Sequence, residues 1–226
     1  MSDTPKITLY TYFRSSCSAR VRIALNLKSL PYTPVYVNLL KGEQSSAEHK
    51  AINPSGSVPA LVVEYPNKSP VTITQSLSAL EYLDEIPSGN SHKLLPPTSD
   101  PEIRALVRTL SQIIACDVQP VTNLRILKEI DKLGCDRAVW SRDLIEKGFG
   151  AFESIVKSTA GRFSVGDVIT MADVCLIPAA WGAERVGVEL GKFPTIKKIV
   201  DALEQEEAVK KGHWKNQEDT PEELRG

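Results

Sequence analysis

The chain has 226 residues, with 27 Lys and Arg against 28 Asp and Glu and a formal net charge of -1, a balance that argues against a nucleic-acid or polyanion binder. Its 42% hydrophobic and 24% charged content is that of a soluble globular protein able to bury a sizeable core in one large domain or two small ones. Cys17, Cys116, Cys135 and Cys175 form no CxxC pair, which disfavours a structural zinc site or a disulfide framework and points to a reducing, cytoplasmic compartment with no metal. No apolar run approaches the ~18 residues of a membrane span, the polar start Met1 to Lys6 has no signal-peptide apolar region, and Leu224-Arg225-Gly226 is not a peroxisomal tripeptide.

In chain order, Ile7 to Tyr12 reads as a strand and Ser18 to Lys28 as a helix carrying Val21, Ala24, Leu25 and Leu27. Tyr32 to Leu39 alternates as a second strand, and Ser46 to Ala51 suits a short helix. Pro59 to Glu64 and Val71 to Thr74 read as two more strands. Ser76 to Glu85 follows as a helix with Leu77, Leu80 and Leu83 on one face. This β-α-β-α-β-β-α order predicts a small sheet with helices packed against it. Pro87, Ser88, Gly89, Asn90, Pro96, Pro97 and Pro101 then punctuate the chain as a linker does. Beyond them only helical patterns recur: Glu102 to Ala115, Val118 to Gly134, Asp136 to Thr159, Met171 to Val186 and Thr195 to Gln205. The expected division is an α/β domain over 1–86, a linker over 87–100 and an all-α domain over 101–226.

The stretch Arg14-Ser15-Ser16-Cys17-Ser18 lies where the first strand hands over to the first helix. Unpaired backbone N–H groups and the positive end of the helix dipole meet there, which suits an anion, a thiolate included. Depressing a thiol pKa by about two units takes roughly 2.7 kcal/mol, within reach of a hydroxyl or two and a helix terminus. The serines equally suit plain helix capping, and Cys17 a small buried residue. Ser76 is a candidate N-cap of its helix. Thr170-Met171-Ala172-Asp173 reads as a capping box, flanked by Ile169 and Val174 as a hydrophobic staple, with a folding role.

The run Ser15-Ser16-Cys17-Ser18-Ala19-Arg20-Val21-Arg22-Ile23-Ala24-Leu25 closely resembles the SSCxxRVRIAL signature of the zeta class of glutathione transferases, the maleylacetoacetate isomerases. Asn53-Pro54, Val58-Pro59, Thr74-Gln75-Ser76-Leu77 with Glu81-Tyr82-Leu83, Gln119-Pro120 with Asn123-Leu124, Val165-Gly166-Asp167 with Thr170-Met171-Ala172-Asp173, and Ala183-Glu184-Arg185 resemble further motifs of the class, in order and over nearly the whole chain. Ala19, where many members carry an aromatic residue, and Asp117, where many carry Gly, depart from the pattern.

The resemblance implies a thioredoxin-like N-terminal domain followed by an all-α domain, in a homodimer. It implies glutathione as the cofactor, with Ser15, Ser16 and Cys17 as the catalytic group and Ser16 the principal stabiliser of the thiolate. A cis Pro59 would present the Val58 backbone to the cysteinyl residue. Gln75 and Ser76 would hold the γ-glutamyl carboxylate, Gln44 the glycyl end, and Gln119 and Asn123 would add contacts. Arg185 and Arg14 would bind the carboxylates of a small dicarboxylic substrate, since a guanidinium bonds a carboxylate bidentately. The implied reaction is cis–trans isomerisation of maleylacetoacetate through thiolate addition and loss. Conjugation or dehalogenation of small α-halo acids is the alternative on the same site, and a non-catalytic binding module the alternative of another kind.

Overall fold

The computed structural model describes residues 5–88 and 90–225. Met1 to Thr4, Gly89 and Gly226, on which expectations about the chain start, the linker and the chain end partly rest, lie outside the described residues. The chain divides into two compact units, Met1–Lys93 with Glu207–Gly226, and Leu94–Glu206.

The first unit is built on β1 (Lys6–Thr11), α1 (Ser16–Leu27), β2 (Thr33–Tyr36), α2 (Ala47–Ile52), β3 (Ala60–Glu64), β4 (Val71–Ile73) and α3 (Ser76–Glu85). The sheet order is β2-β1-β3-β4. β2 runs parallel to β1, while β3 is antiparallel to both β1 and β4, the mixed sheet of a thioredoxin-like domain. Ile7, Leu9, Leu61 and Val63 from the sheet and Val21, Ile23, Leu25, Leu80 and Leu83 from the helices are buried together in its core. β2 is shorter than the alternation of Tyr32 to Leu39 suggests. The Asn38 side chain accepts from the Leu40 and Lys41 N–H groups at 3.0 and 3.1 Å and turns the chain out of the sheet.

The last residues belong to this unit and were not legible as part of it. α9 (Glu207–Gly212) lies on α1 so closely that a Cβ at Gly212 would stand 2.5 Å from Ile23 Cγ1. Glycine is what permits the approach. Arg22, fully buried, joins the pieces: Nε and Nη2 donate to the Gly212 carbonyl at 3.2 and 3.1 Å, Nη1 to Thr11 Oγ1 at 2.9 Å and the Tyr12 carbonyl at 3.3 Å, and Nη2 to the Phe13 carbonyl at 3.0 Å. Burial lowers its pKa to about 10, so the guanidinium stays charged at neutral pH. The first half of the expected linker also belongs here. Lys28, buried beside Asp84 at 3.6 Å, donates to the His92 carbonyl at 2.9 Å. Leu94 and Leu95 are instead buried in the second unit, where Met171 N–H donates to the Leu94 carbonyl at 2.8 Å.

The second unit is all helical among its described residues: α4 (Pro101–Gln112), α5 (Leu124–Lys132), α6 (Arg137–Val156), α7 (Met171–Arg185) and α8 (Pro194–Leu203). α7 is buried along nearly its whole length, as a central helix must be. Its start is held by Asp173, whose carboxylate accepts from Thr170 N–H at 2.8 Å, Thr170 Oγ1 at 2.9 Å and Ser164 N–H at 2.8 Å; this is the capping interaction expected at Thr170. Buried Glu153 on α6 accepts from the Thr195 and Ile196 N–H groups at 3.1 and 2.9 Å, satisfying the open first turn of α8. The span read as two helices meeting near Val118 is different in detail. α4 passes into a π-helical turn, Ile113–Val118, then a 3₁₀ turn, Pro120–Thr122, before Asn123 caps α5. The wider π turn accommodates the chain ahead of Pro120, which has no N–H to continue an α-helix.

Arg22→Met removes the guanidinium donors to three carbonyls and the Thr11 hydroxyl, of which the Tyr12 carbonyl alone keeps a further donor, Ser15 N–H, and is expected to cost about 3 kcal/mol or more. A shift in the urea midpoint with an unchanged slope would register it, and a loss below about 1 kcal/mol would show that the clamp contributes little. A second expectation concerns His213, which follows α9. Burial, with the charges of Lys215 and Arg22, holds its imidazole down at about 4, against an ordinary 6.5. Between those values the unfolded chain binds a proton that the folded chain refuses, so stability is full above pH about 6.5, falls as the pH drops, and levels off below about 4. Urea titrations across that window should show a smaller acid loss for His213→Asn than for the wild type, and equal losses would contradict this.

Candidate active site

α1 begins with a capped helix start whose first N–H groups are open. Ser15 is its N-cap, and its Oγ accepts from Ser18 N–H at 3.1 Å. The Ser15 N–H donates to the Tyr12 carbonyl at 3.0 Å, closing the turn that leads out of β1. Ser16 and Cys17 are therefore the first two helical residues, and their N–H groups fall outside the helix's own hydrogen-bond ladder. Arg14, Ser15, Ser16 and Cys17 are all partly exposed, and the Arg14 guanidinium lies 5.6 Å over the Phe13 ring.

The Val58–Pro59 peptide bond is cis. Val58 packs in a cluster with Tyr12, Phe13 and Val37, which ties this bond to the turn preceding α1. The loop before it is held by residues to which the sequence reading assigned no role. Asn53, fully buried, donates through Nδ2 to the Ser57 carbonyl at 2.7 Å and accepts through Oδ1 from Ser55 N–H at 3.1 Å. His49 Nε2 lies 2.9 Å from the same Ser57 carbonyl. An Asn-Pro pair two residues before a Gly is a turn signal, and that signal was open to reading. Gln44 lies against this loop: a Cβ at Gly56, where φ is +58, would come within 3.1 Å of the Gln44 carbonyl oxygen.

At the start of α3 the structure corrects one expectation. Gln75 is the N-cap and Ser76 the first helical residue. Ser76 is buried because its Oγ accepts from Arg20 Nη1 at 3.1 Å. A side-chain donor from α1 thus takes the hydroxyl that a capping reading would turn toward its own helix. Arg20, from one turn into α1, joins the two helix starts. It is only 1% exposed, yet its Nε and Nη2 have no hydrogen-bond partner. Ser18 Oγ and Gln44 Oε1 are likewise buried and unpartnered.

Gln119, Asn123 and Arg185 belong to the second unit. The Gln119 N–H donates to the Ile114 carbonyl at 2.9 Å, closing the π turn. Asn123 Oδ1 accepts from Ile126 N–H at 3.1 Å as the cap of α5. Arg185 is exposed at the last position of α7. Among the described residues no group of His, Cys, Asp and Glu could hold a metal ion, and no helix is long and apolar enough to cross a membrane.

A mixed four-stranded sheet with a cis-proline, two helix starts meeting over a buried arginine, and a separate helical unit define a glutathione transferase. Residues 14–86 match the glutathione S-transferase N-terminal domain family and residues 131–212 the C-terminal domain family. The chain is 68% identical to a maleylacetoacetate isomerase of Aspergillus fumigatus, over 99% of this chain and 97% of that one. A solved maleylacetoacetate isomerase of Anaeromyxobacter dehalogenans with bound glutathione superposes with a TM-score of 0.87 at 36% identity, covering 97% of this chain and all 100% of the other. A solved maleylpyruvate isomerase, described as a bacterial zeta-class glutathione S-transferase, gives 0.85 at 34% identity, over 95% of this chain and 100% of that one. The chain belongs to the zeta class of glutathione transferases.

The first unit's residues fit glutathione, an anionic tripeptide with a thiol. Arg20, on α1 and bonded to Ser76 at the start of α3, keeps two nitrogens without partners, and its charge suits an anionic ligand near these helix starts. Arg20 and Arg22, two positions apart on α1, should consequently respond in opposite ways. Arg20→Met removes a charge whose donors are mostly unsatisfied and is expected to leave stability unchanged or raise it by about 1 kcal/mol. The same urea titration tests this, and a loss as large as that of Arg22→Met would refute it.

Proposed function

We propose that the chain catalyses the glutathione-dependent cis–trans isomerisation of maleylacetoacetate to fumarylacetoacetate, a step of phenylalanine and tyrosine catabolism. The observation carrying this reading is the α1 start at Ser15–Ser16–Cys17, linked through Arg20 to the α3 start and through Phe13 to the cis Val58–Pro59 bond. Membership of the zeta class supports it.

Bound glutathione supplies a thiolate that adds to the conjugated cis double bond and leaves after rotation, so the thiol is regenerated. The residues of the chain hold that sulfur and the substrate in place. Ser15 Oγ accepts from Ser18 N–H as the cap of α1, which fixes its rotamer but leaves its O–H free to donate; we assign the principal hydroxyl donor to Ser16, with Ser15 beside it. The helix start adds its N–H groups and its dipole, which together lower the thiol pKa. Cys17, one position further, tunes the sulfur's surroundings. The Val58 backbone, presented by the cis bond to Pro59, pairs with the cysteinyl residue. Gln75 and Ser76 hold the γ-glutamyl carboxylate, with Arg20 as the counter-charge behind Ser76. Gln44 meets the glycyl end, and Gln119 and Asn123 add contacts. Arg14 and Arg185 take the substrate carboxylates, each able to bond bidentately and so to orient the reacting carbon. We also assign glutathione binding to the domain expected over 1–86 and substrate selection to the helical domain expected over 101–226, with the last segment, Glu207–Gly226, going to the first task because it belongs to the first unit, in a cytoplasmic homodimer; the free state of all four cysteines fits a reducing compartment.

The test follows loss of the ultraviolet enone absorbance of maleylacetone, with and without glutathione. Loss only with glutathione, and without thiol consumption, is the expected result. Thiol consumption with adducts would move the assignment to conjugation or dehalogenation, and glutathione binding without reaction would favour a binding module. In the same assay Ser16→Ala should lower turnover about a hundredfold, the size of a lost anion-stabilising donor, while Cys17→Ala should stay within about tenfold of wild type. Equal, near-complete losses in both would overturn the ranking.

A further inference from the structure

The turn between β1 and α1 is gripped from both sides of one residue. The Phe13 carbonyl accepts from Arg22 Nη2 at 3.0 Å. The Phe13 N–H donates to Asp219 Oδ2 at 2.8 Å, a bond that spans 206 residues of sequence. The Phe13 ring lies 4.7 Å from Tyr12 and 6.5 Å from Trp214. Trp214 and Leu224 pack on the cluster of Tyr12, Phe13, Val37 and Val58. The chain end is itself tied into a compact knob: Thr220 Oγ1 donates to the Trp214 carbonyl at 2.5 Å, and Arg225 donates to the Thr220 and Glu218 carbonyls at 3.0 and 2.9 Å. Tyr36 of β2 adds a bond to Glu218 at 3.1 Å. One acidic side chain of this knob therefore holds the backbone three residues before Ser16, while its apolar side chains rest on the cis-proline cluster.

We propose that Asp219 is a positioning residue for the thiolate-holding start of α1, and that the C-terminal knob is thereby a working part of the active site. The inference rests on the reading that Ser16 and the helix start stabilise the glutathione thiolate. From Phe13 to the Ser15 cap there is little slack. The Tyr12 carbonyl is shared between Ser15 N–H and Arg22, and the Phe13 carbonyl is held by Arg22. Asp219 supplies the remaining tie, on the N–H side of Phe13. With it gone, the peptide between Tyr12 and Phe13 is held only at its carbonyl, by Ser15 N–H and Arg22, and tilts about those bonds, so the Ser16 hydroxyl and N–H shift relative to the sulfur. A displacement of that kind is costly because thiolate stabilisation depends on donor distance and direction. Asp219 touches neither glutathione nor substrate in this account; it acts through Phe13.

The experiment titrates the thiol of glutathione bound to the full chain, by its ultraviolet thiolate absorbance, in the wild type and in Asp219→Ala, Asp219→Asn and Asp219→Glu. The alanine variant should raise the bound thiol pKa by about one unit and lower kcat/KM with maleylacetone about tenfold. Asn keeps an acceptor at the same reach and should recover most of both effects. If the alanine variant does not fold, Glu serves in its place: it keeps the charge, moves the acceptor out by one methylene, and should show the same upward shift. A folded alanine or glutamate variant with the wild-type thiol titration would overturn the proposal, whatever its melting temperature, since a purely structural role lowers stability and leaves the titration alone. A wild type that does not depress the thiol pKa would overturn the thiolate reading and this inference with it. A depressed wild-type value, unchanged in the variants, would overturn this inference alone.

Discussion

The buried guanidinium of Arg22 is the interaction on which the first unit depends. Where β1 ends, its chain must turn into α1, and the carbonyls of Tyr12 and Phe13 point into the interior with no strand to receive them. α9 ends beside the same spot with the Gly212 carbonyl in the same condition. A hydrophobic residue would leave the Phe13 and Gly212 carbonyls buried and unpaired, at about 1–3 kcal/mol each, and would leave the Tyr12 carbonyl with Ser15 N–H alone. Lysine would offer a point charge with no fixed fork. Arginine has five donors in one plane, and Arg22 spends them on three carbonyls and the Thr11 hydroxyl. Burial still weakens its basicity, to about 10, but the charge survives because the acceptors stabilise it.

Two residues earlier, Arg20 presents the opposite case. It sits on the same helix and is as deeply buried, but it has one bond, to Ser76 Oγ, and two atoms without partners. A folded protein tolerates such a group where something outside the chain is to complete it. Ser18 Oγ, on the same helix, and Gln44 Oε1, beside the Gly56 loop, share the condition. The satisfied arginine makes structure; the unsatisfied one contributes little to it, which is why the two are expected to respond in opposite ways to removal of the charge.

Nothing in the sequence pattern separates these two arginines. Both stand in an apolar-periodic run, where charged residues ordinarily face water. Their burial follows from what surrounds the first turn of α1, which is set by strand order and by the chain end. Local signals were read well where the physics is local. Asp173 bonds back to Thr170 and the β-α-β-α-β-β-α order follows from periodicity, while α1, expected from Ser18, begins at Ser16 behind the cap of Ser15. Ser76 was misjudged because its hydroxyl is claimed by a partner 56 residues away. The π turn before Gln119 was invisible because α and π periodicities differ too little over six residues to leave a trace in composition. The residues we assign to glutathione became legible through resemblance, since a Ser or Gln at a helix start has the same propensity whether it caps the helix or holds a ligand.

The chain end was the least legible part, and its placement bears on how the protein is made. Lys210, Lys211, Lys215, Glu218, Glu222 and Glu223 give it the look of a solvated tail, and its anchors are isolated residues, Trp214, Asp219 and Leu224, with no period. Yet the first unit closes only when Arg22 meets Gly212, 190 residues on, and when Phe13 meets Asp219. During synthesis the second unit is complete in sequence before the first is, because its residues, Leu94–Glu206, are continuous. The sheet and α1 can form early, but the turn that carries Ser15 and Ser16 then lacks its N–H partner at Phe13, and the Arg22 fork lacks its furthest acceptor. Domains that are continuous in sequence fold as they emerge; a unit stitched from both chain ends cannot do so. The turn before α1 thus gains its Phe13–Asp219 bond, and Arg22 its Gly212 acceptor, only once those residues have emerged.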